Sequence, residues 1–200
     1  MQSAFLIFFA CVGYCILHSF LASLWFKDRV RGRFGENLFR WYRLLYNLIS
    51  GVTFLPILAL LVWLPDRLWY IIPFPFVLVS SAIQLVSIGV MGLGLAQSGL
   101  IPFLGLDALF GNRSPSPNHL TLDGLYGWVR HPIYTAGLVF LWLMPLMTQN
   151  LFAFKVSMSL YFLIGAWLEE RKMVAQLGEA YLKYQQQVPM FIPRWRGRGG

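Results

Sequence analysis

The sequence predicts an all-α integral membrane bundle of five transmembrane helices with a C-terminal helical hairpin and an amphipathic cytoplasmic helix. Three observations carry that prediction. Hydrophobic residues make up 58% of the 200 and charged residues only 12%, with a mean hydropathy of +0.60. A soluble core of this size does not need so much apolar surface, whereas a bundle that must also face lipid does. The apolar residues gather in long runs, and the cations sit between the runs. The formal charge of +8 therefore has the distribution of membrane topology, not of a nucleic-acid footprint, and nucleic acid is excluded as a partner.

Five apolar runs are expected to cross the membrane: 4–26, 44–64, 71–96, 132–148 and 151–168. A crossing helix takes about 20 apolar residues, with a range of roughly 17–25. The first three runs meet this length comfortably. The last two are short and are separated only by Gln149 and Asn150, which predicts a tight antiparallel hairpin. The first run lacks a basic leader and more apolar runs follow it, so it reads as a span and not as a secretion signal. Cys11 and Cys15 share one face of it and read as small hydrophobes, with no disulfide framework or zinc spacing. The whole of 1–200 is expected to form a single membrane domain.

Charge sets the orientation. Segment 27–43 holds Lys27, Arg29, Arg31, Arg33, Arg40 and Arg43. The linker before the fourth run adds Arg113 and Arg130, and the tail adds Arg171, Lys172, Lys183, Arg194, Arg196 and Arg198. With five crossings, only Arg67 and Lys155 fall on the other side. The positive-inside rule then places the N-terminus outside and the C-terminus in the cytoplasm.

Punctuation inside the runs fits a bundle. Pro56 is expected to bend the second span, and Pro145 to disturb the far end of the fourth. Gly89, Gly92, Gly94 and Gly99 lie near the end of the third, where small residues permit close helix packing. Segment 102–118 contains Gly105, Gly111, Pro115 and Pro117 and reads as loop. After Leu168, Met173, Val174, Leu177, Tyr181 and Tyr184 recur at helical intervals, predicting one amphipathic helix over 169–187. This helix is expected to lie on the membrane surface or to close over the bundle on the cytoplasmic side.

The most informative window is 124–137, GLYGWVRHPIYTAG. Proline favours the first helical position and pushes its predecessor away from helical angles, so a helix is expected to start at Pro132 with His131 just outside it. Free N–H groups, the positive helix end and the cations Arg130 and His131 then converge on one spot that suits an anion. Counting back from the turn, Glu169 and Glu170 lie at the same depth as Pro132. A cationic helix start beside two carboxylates matches a ligand with a carboxylate, an ammonium and a positive sulfur, the methionine end of S-adenosylmethionine. Each residue also has a plainer role. Taken singly, Arg130 reads as a topology cation, His131 as a polar residue before a proline, the glutamates as partners of Arg171 and Lys172 on a solvated face, and Tyr126, Trp128 and Tyr134 as an interfacial aromatic belt. The functional reading rests on their combination.

The ordered motifs Arg130-His131-Pro132-Ile133-Tyr134, Glu169-Glu170, Gly178/Tyr181/Tyr184 and Val188-Pro189…Ile192-Pro193 resemble the C-terminal signature of the isoprenylcysteine carboxyl methyltransferase and phospholipid methyltransferase superfamily. Runs 142–154 and 188–193 are most similar to its methanethiol S-methyltransferase branch, and His18-Ser19 with the basic segment after it resembles that branch more weakly. The resemblance implies a membrane enzyme that binds S-adenosyl-L-methionine and transfers its methyl group to a small thiol, prenylcysteine-like or lipid acceptor. It implies cofactor contacts from Leu120, Thr121, Tyr126, His131, Ile133, Tyr134 and Glu169, with Glu170 supporting, a cofactor beneath segment 169–193, catalytic roles for His131 and Arg130, and no metal. The isoprenylcysteine enzymes carry an arginine four residues before the site glutamate. Gly165 stands there in this chain, which argues against a prenylcysteine carboxylate and leaves thiols, amines and lipid headgroups. The other readings are a membrane NADPH-dependent reductase of sterol-like substrates, which shares an Arg-His-Pro motif, and a non-catalytic membrane protein.

Overall fold

A computed structural model describes residues 1–110 and 123–193. Among them the elements run in the order α1 (Gln2–Ala22), α2 (Leu24–Phe39), α3 (Tyr42–Trp63), β1 (Leu68–Ile71), α4 (Phe76–Gln97), α5 (Leu100–Leu104), α6 (Pro132–Trp142), β2 (Leu146–Thr148), α7 (Gln149–Leu177) and α8 (Glu179–Gln187), with single 3-10 turns at Leu106–Phe110 and Gly124–Gly127. Helices α1, α3, α4 and α7 are long and apolar enough to cross a membrane. The chain is a multi-pass, all-α integral membrane protein. At 11 residues, α6 reaches about 16 Å, roughly half of the ~30 Å hydrocarbon layer.

Several sequence expectations shift. The first apolar run stops at Ala22, because Ser23 accepts from the Phe26 N–H and caps a second helix, so the basic segment that follows is largely helical. The expected fourth helix, 132–148, ends at Trp142. Pro145 has no N–H to donate and its ring clashes with the preceding turn, and Leu146–Thr148 pair antiparallel with Leu68–Ile71 instead. The connection before α7 is therefore 143–148, longer than the two-residue turn expected from Gln149 and Asn150. Part of 102–118 is ordered as α5 and a 3-10 turn, since Pro102 in a first helical turn forfeits no internal hydrogen bond. The single amphipathic helix expected over 169–187 is broken at Gly178, whose φ of +57° belongs to the left-handed region that glycine enters freely. Helix α3 runs on through Pro56.

The described residues form two compact units. The first takes Met1–Ile71, 100–110 and Leu146–Tyr161. Helix α3 packs on α1 here, and the Tyr46 hydroxyl lies 2.7 Å from His18 Nε2 while Tyr161 bonds His18 Nδ1. Asn47 Nδ2 donates to the Phe103 carbonyl at 3.0 Å, and Arg43 to that of Pro102, which ties the α5 turn to α3. Asp66 accepts from the Asn150 N–H at 3.0 Å, closing the two-stranded ribbon at the start of α7.

The second unit takes Ile72–Gly99, 123–145 and 162–193. Helices α4 and α6 pack closely, because a Cβ at Gly94 would come within 2.9 Å of the Ile133 side chain. Gly89 and Gly92 have open space instead, so of these three it is Gly94 that plays the expected contact role. The Gln84 amide donates to the Phe140 carbonyl at 3.1 Å, and the Ser80 hydroxyl to that of Leu143. Two α4 side chains thereby satisfy carbonyls that the short α6 leaves without intrahelical donors. Gly137 of α6 lies against Phe162 of α7.

Candidate active site

The second unit gathers the signature residues around the start of α6. Pro132 occupies the first helical position, and His131 before it has φ −124° and ψ 63°, the non-helical geometry that a following proline imposes. The expected helix start is therefore where the sequence puts it. His131 is buried and Pro132 is buried with it.

Arg130 does not point into open space. Its Nε and Nη2 donate to the two Glu170 oxygens at 2.5 and 3.0 Å, a two-pronged pair. Its Nη1 donates to the carbonyls of Gln185 and Val188 at 2.9 and 2.5 Å. The two side chains are only 9% and 11% exposed. Arginine's planar fork suits this arrangement, since it meets a carboxylate on two parallel bonds and still has donors for carbonyls. Glu170 also accepts from Gln185 Nε2 at 2.8 Å and lies 3.2 Å from His131 Nε2. A carboxylate buried to this extent needs such partners.

The same residues fasten the chain end over the helix start. The N–H groups of Arg130 and His131 donate to the carbonyls of Pro189 and Met190 at 2.9 and 3.1 Å. The Thr135 hydroxyl donates to the Phe191 carbonyl at 3.0 Å. Beneath this strap, Tyr181, Tyr184 and Val188 are buried against Met173, Val174 and Leu177. The Tyr184 hydroxyl donates to the Tyr126 carbonyl at 2.7 Å, and Tyr126 donates to the Gly94 carbonyl at 3.3 Å. Burial pushes the Tyr184 hydroxyl up to about 12 and also raises Tyr126, so both remain neutral donors at physiological pH.

Glu169 takes a different position from its neighbour. It is exposed, and one oxygen accepts from the Tyr134 hydroxyl at 3.2 Å. The Tyr134 ring is stacked between His131 and Phe162, with centroids 5.5 and 5.6 Å away and interplanar angles of 12° and 17°. Phe191 lies 5.8 Å from the His131 ring. An accessible carboxylate with spare acceptors suits an ammonium. The Ile133 N–H, without an intrahelical acceptor at this helix start, suits a carboxylate. Together they have the chemistry to hold an amino-acid zwitterion.

Of the residues singled out in the sequence, Tyr126, Arg130, His131, Ile133, Tyr134, Glu169 and Glu170 come together in this unit. Leu120 and Thr121 lie outside the described residues. Sequence reasoning missed Gln185, Phe162 and Phe191. Gln185 stands next to the flagged Tyr184, but nothing in its own context signals a carboxylate 15 residues earlier.

Fold and site thus define a multi-pass helical membrane protein with a charged, hydrogen-bonded centre at a proline-started helix. Known proteins similar to it are methanethiol S-methyltransferases. The one from Pseudomonas sp. (strain GM41(2012)) is 46% identical over 70 residues, 35% of this chain and 27% of that protein. The one from Mycobacterium tuberculosis is 39% identical over 69 residues, 34% and 28% of the two chains. Methanethiol S-methyltransferase 2 of Bradyrhizobium diazoefficiens is 31% identical over 159 residues, 74% of this chain and 58% of that protein. The chain therefore spans from about a quarter to three-fifths of the length of these relatives. No protein-family model and no solved structure matches it. The resemblance to the methanethiol S-methyltransferase branch is borne out.

Proposed function

We propose that the chain is a membrane-embedded, S-adenosylmethionine-dependent methyltransferase that methylates a small thiol. The observation that carries this is the division of labour between two adjacent glutamates. Glu170 is locked by Arg130, while Glu169 stays accessible beside Tyr134 at a helix start. The name shared by the similar proteins supports the thiol, and Gly165 supports an acceptor without a carboxylate.

Glu169 takes the ammonium of the cofactor's methionine end, and Ile133 N–H its carboxylate. Tyr134 holds Glu169 in place through its hydroxyl, while the flanking rings fix Tyr134 itself. Arg130 acts here as a positioning residue, because its donors already serve Glu170 and two carbonyls. The bound cofactor supplies an electrophilic methyl group on its sulfonium. The protein's part is alignment and exclusion of water, with Phe191 and the strap covering the His131 side. A neutral thiol must also lose its proton. His131 Nε2 is engaged with Glu170, so Nδ1 is the nitrogen that takes it. Five crossings, with the short α6 as the fourth, place the N-terminus outside and the site on the cytoplasmic side.

The test uses the purified protein in detergent with labelled S-adenosylmethionine and methanethiol. Dimethyl sulfide is the expected product, and His131→Ala and Glu169→Ala are expected to lose S-adenosylhomocysteine binding while remaining membrane-inserted. Unchanged binding in both variants contradicts the site. Binding of NADPH without binding of S-adenosylmethionine overturns the reaction class.

A further inference from the structure

Helix α2, in the first unit, is kinked at Gly35, whose φ is +74°, and has no buried residue along its 16 positions. Its exposed side chains include Leu24, Trp25, Phe34 and Leu38, and Trp25 is 59% exposed. Protein leaves about half of each of these side chains uncovered, and water is a poor cover for large apolar groups. The helix begins directly after α1, a membrane-length helix, and the two apolar surfaces are continuous. The Phe20 ring of α1 contacts Trp25 and Phe26 at centroid distances of 5.9 and 4.8 Å. A chain that leaves the hydrocarbon at Ala22 and turns at Ser23 lays α2 along the membrane surface.

The polar side of α2 specifies what it meets there. Trp25, Arg29, Gly32 and Arg33 share one face at helical spacing and, with Asp28, line a shallow, open surface. Gly32 lies between the two arginines in open space. The Arg29 guanidinium lies 4.9 Å from the centre of the Trp25 ring. Glu36 lies 3.1 Å from Arg31, while Asp28, 4.0 Å from Arg31, also lines this face, which leaves it with two guanidiniums against one carboxylate. Two guanidiniums one turn apart beside an indole form a receptor for a phosphate that also has an apolar body.

We propose that the Trp25–Arg29–Gly32–Arg33 face of α2 is a binding site for an anionic phospholipid, with its headgroup phosphate on the arginines and its glycerol backbone and upper acyl chains against Trp25 and Phe20. This differs from a topology role, which any cations in the segment fulfil. The site makes retention of lipid selective for charge. It is independent of the methyl-transfer reading.

The test reconstitutes the full chain in nanodiscs of phosphatidylcholine with one-fifth phosphatidylglycerol, extracts it in mild detergent and measures the retained lipids by mass spectrometry. Wild type is expected to retain phosphatidylglycerol above its input share. Retention should fall about fivefold for each arginine removed, as expected for ~1 kcal/mol per cation at a membrane surface, and should weaken with salt. Arg29→Gln/Arg33→Gln is expected to return the ratio to input, while Arg67→Gln leaves it enriched. Protease accessibility of the loops shows that orientation is unchanged. Equal enrichment in wild type and the double variant overturns the proposal, as does an input ratio in wild type. Displacement of the retained lipid by millimolar inorganic phosphate also overturns it, assigning the arginines to a free anion.

Discussion

Deleting either partner of the Arg130–Glu170 pair should destabilise the second unit, and unequally. The pair joins on two bonds of 2.5 and 3.0 Å with both side chains almost out of water. Removing one member of such a pair costs about 3–5 kcal/mol, mostly the penalty of the charge left behind. Arg130→Met leaves Glu170 with Gln185 and His131 as donors, and a carboxylate can also neutralise itself by taking a proton. Glu170→Met strands a guanidinium that cannot lose its charge and keeps only the carbonyls of Gln185 and Val188. The expected order is therefore Glu170→Met worst, near the top of that range, Arg130→Met nearer its bottom, and the double variant milder than Glu170→Met alone. Unfolding in mixed micelles with increasing dodecyl sulfate measures all four corners of the cycle. Limited proteolysis after Val188 reports the strap separately, which should open first in Glu170→Met. If the double variant instead loses the sum of the two single losses, the pair is not coupled and the clamp as described is wrong.

Three further outcomes follow from particular contacts. Glu169→Gln, which keeps the shape but removes the charge, should weaken S-adenosylhomocysteine binding by roughly 10- to 100-fold, the value of a charged hydrogen bond, with unfolding unchanged; calorimetry checks it, and native affinity would remove Glu169 from the site. Lys155 is fully buried with no hydrogen-bond partner for Nζ, so Lys155→Met should be neutral or stabilising by about 1–3 kcal/mol; a large loss in the same unfolding assay would mean that the amine has a role unaccounted for. Gly105 combines φ +78° with a Cβ position that collides with the backbone of Arg43 and Leu44, which cannot rotate aside. Gly105→Ala should therefore lose more than the ~1–2 kcal/mol of a left-handed residue alone, whereas Gly89→Ala, with open space around it, should change little.

How much of this was legible in the sequence can be followed residue by residue. The start of α6 was, because the rules linking Pro132 to His131 act within two residues. The stop of α6 was only half legible. Pro145 announced a disturbance, yet the helix ends at Trp142 because Leu146–Thr148 find a partner strand nearly eighty residues earlier. The break at Gly178 went unseen, since the apolar spacing on either side of it suits one helix.

The two glutamates show the boundary most clearly. Composition and run length determined by themselves that this is a membrane protein, because transfer of apolar surface is additive along the chain. They also determined that a positive helix end and two carboxylates belong to one chemical neighbourhood. Which carboxylate is buried was settled only by tertiary structure. Successive positions on a helix differ by about 100°, so only one of Glu169 and Glu170 can face Arg130. The choice depends on partners distant in sequence, Arg130 forty residues before Glu170 and Gln185 fifteen after it.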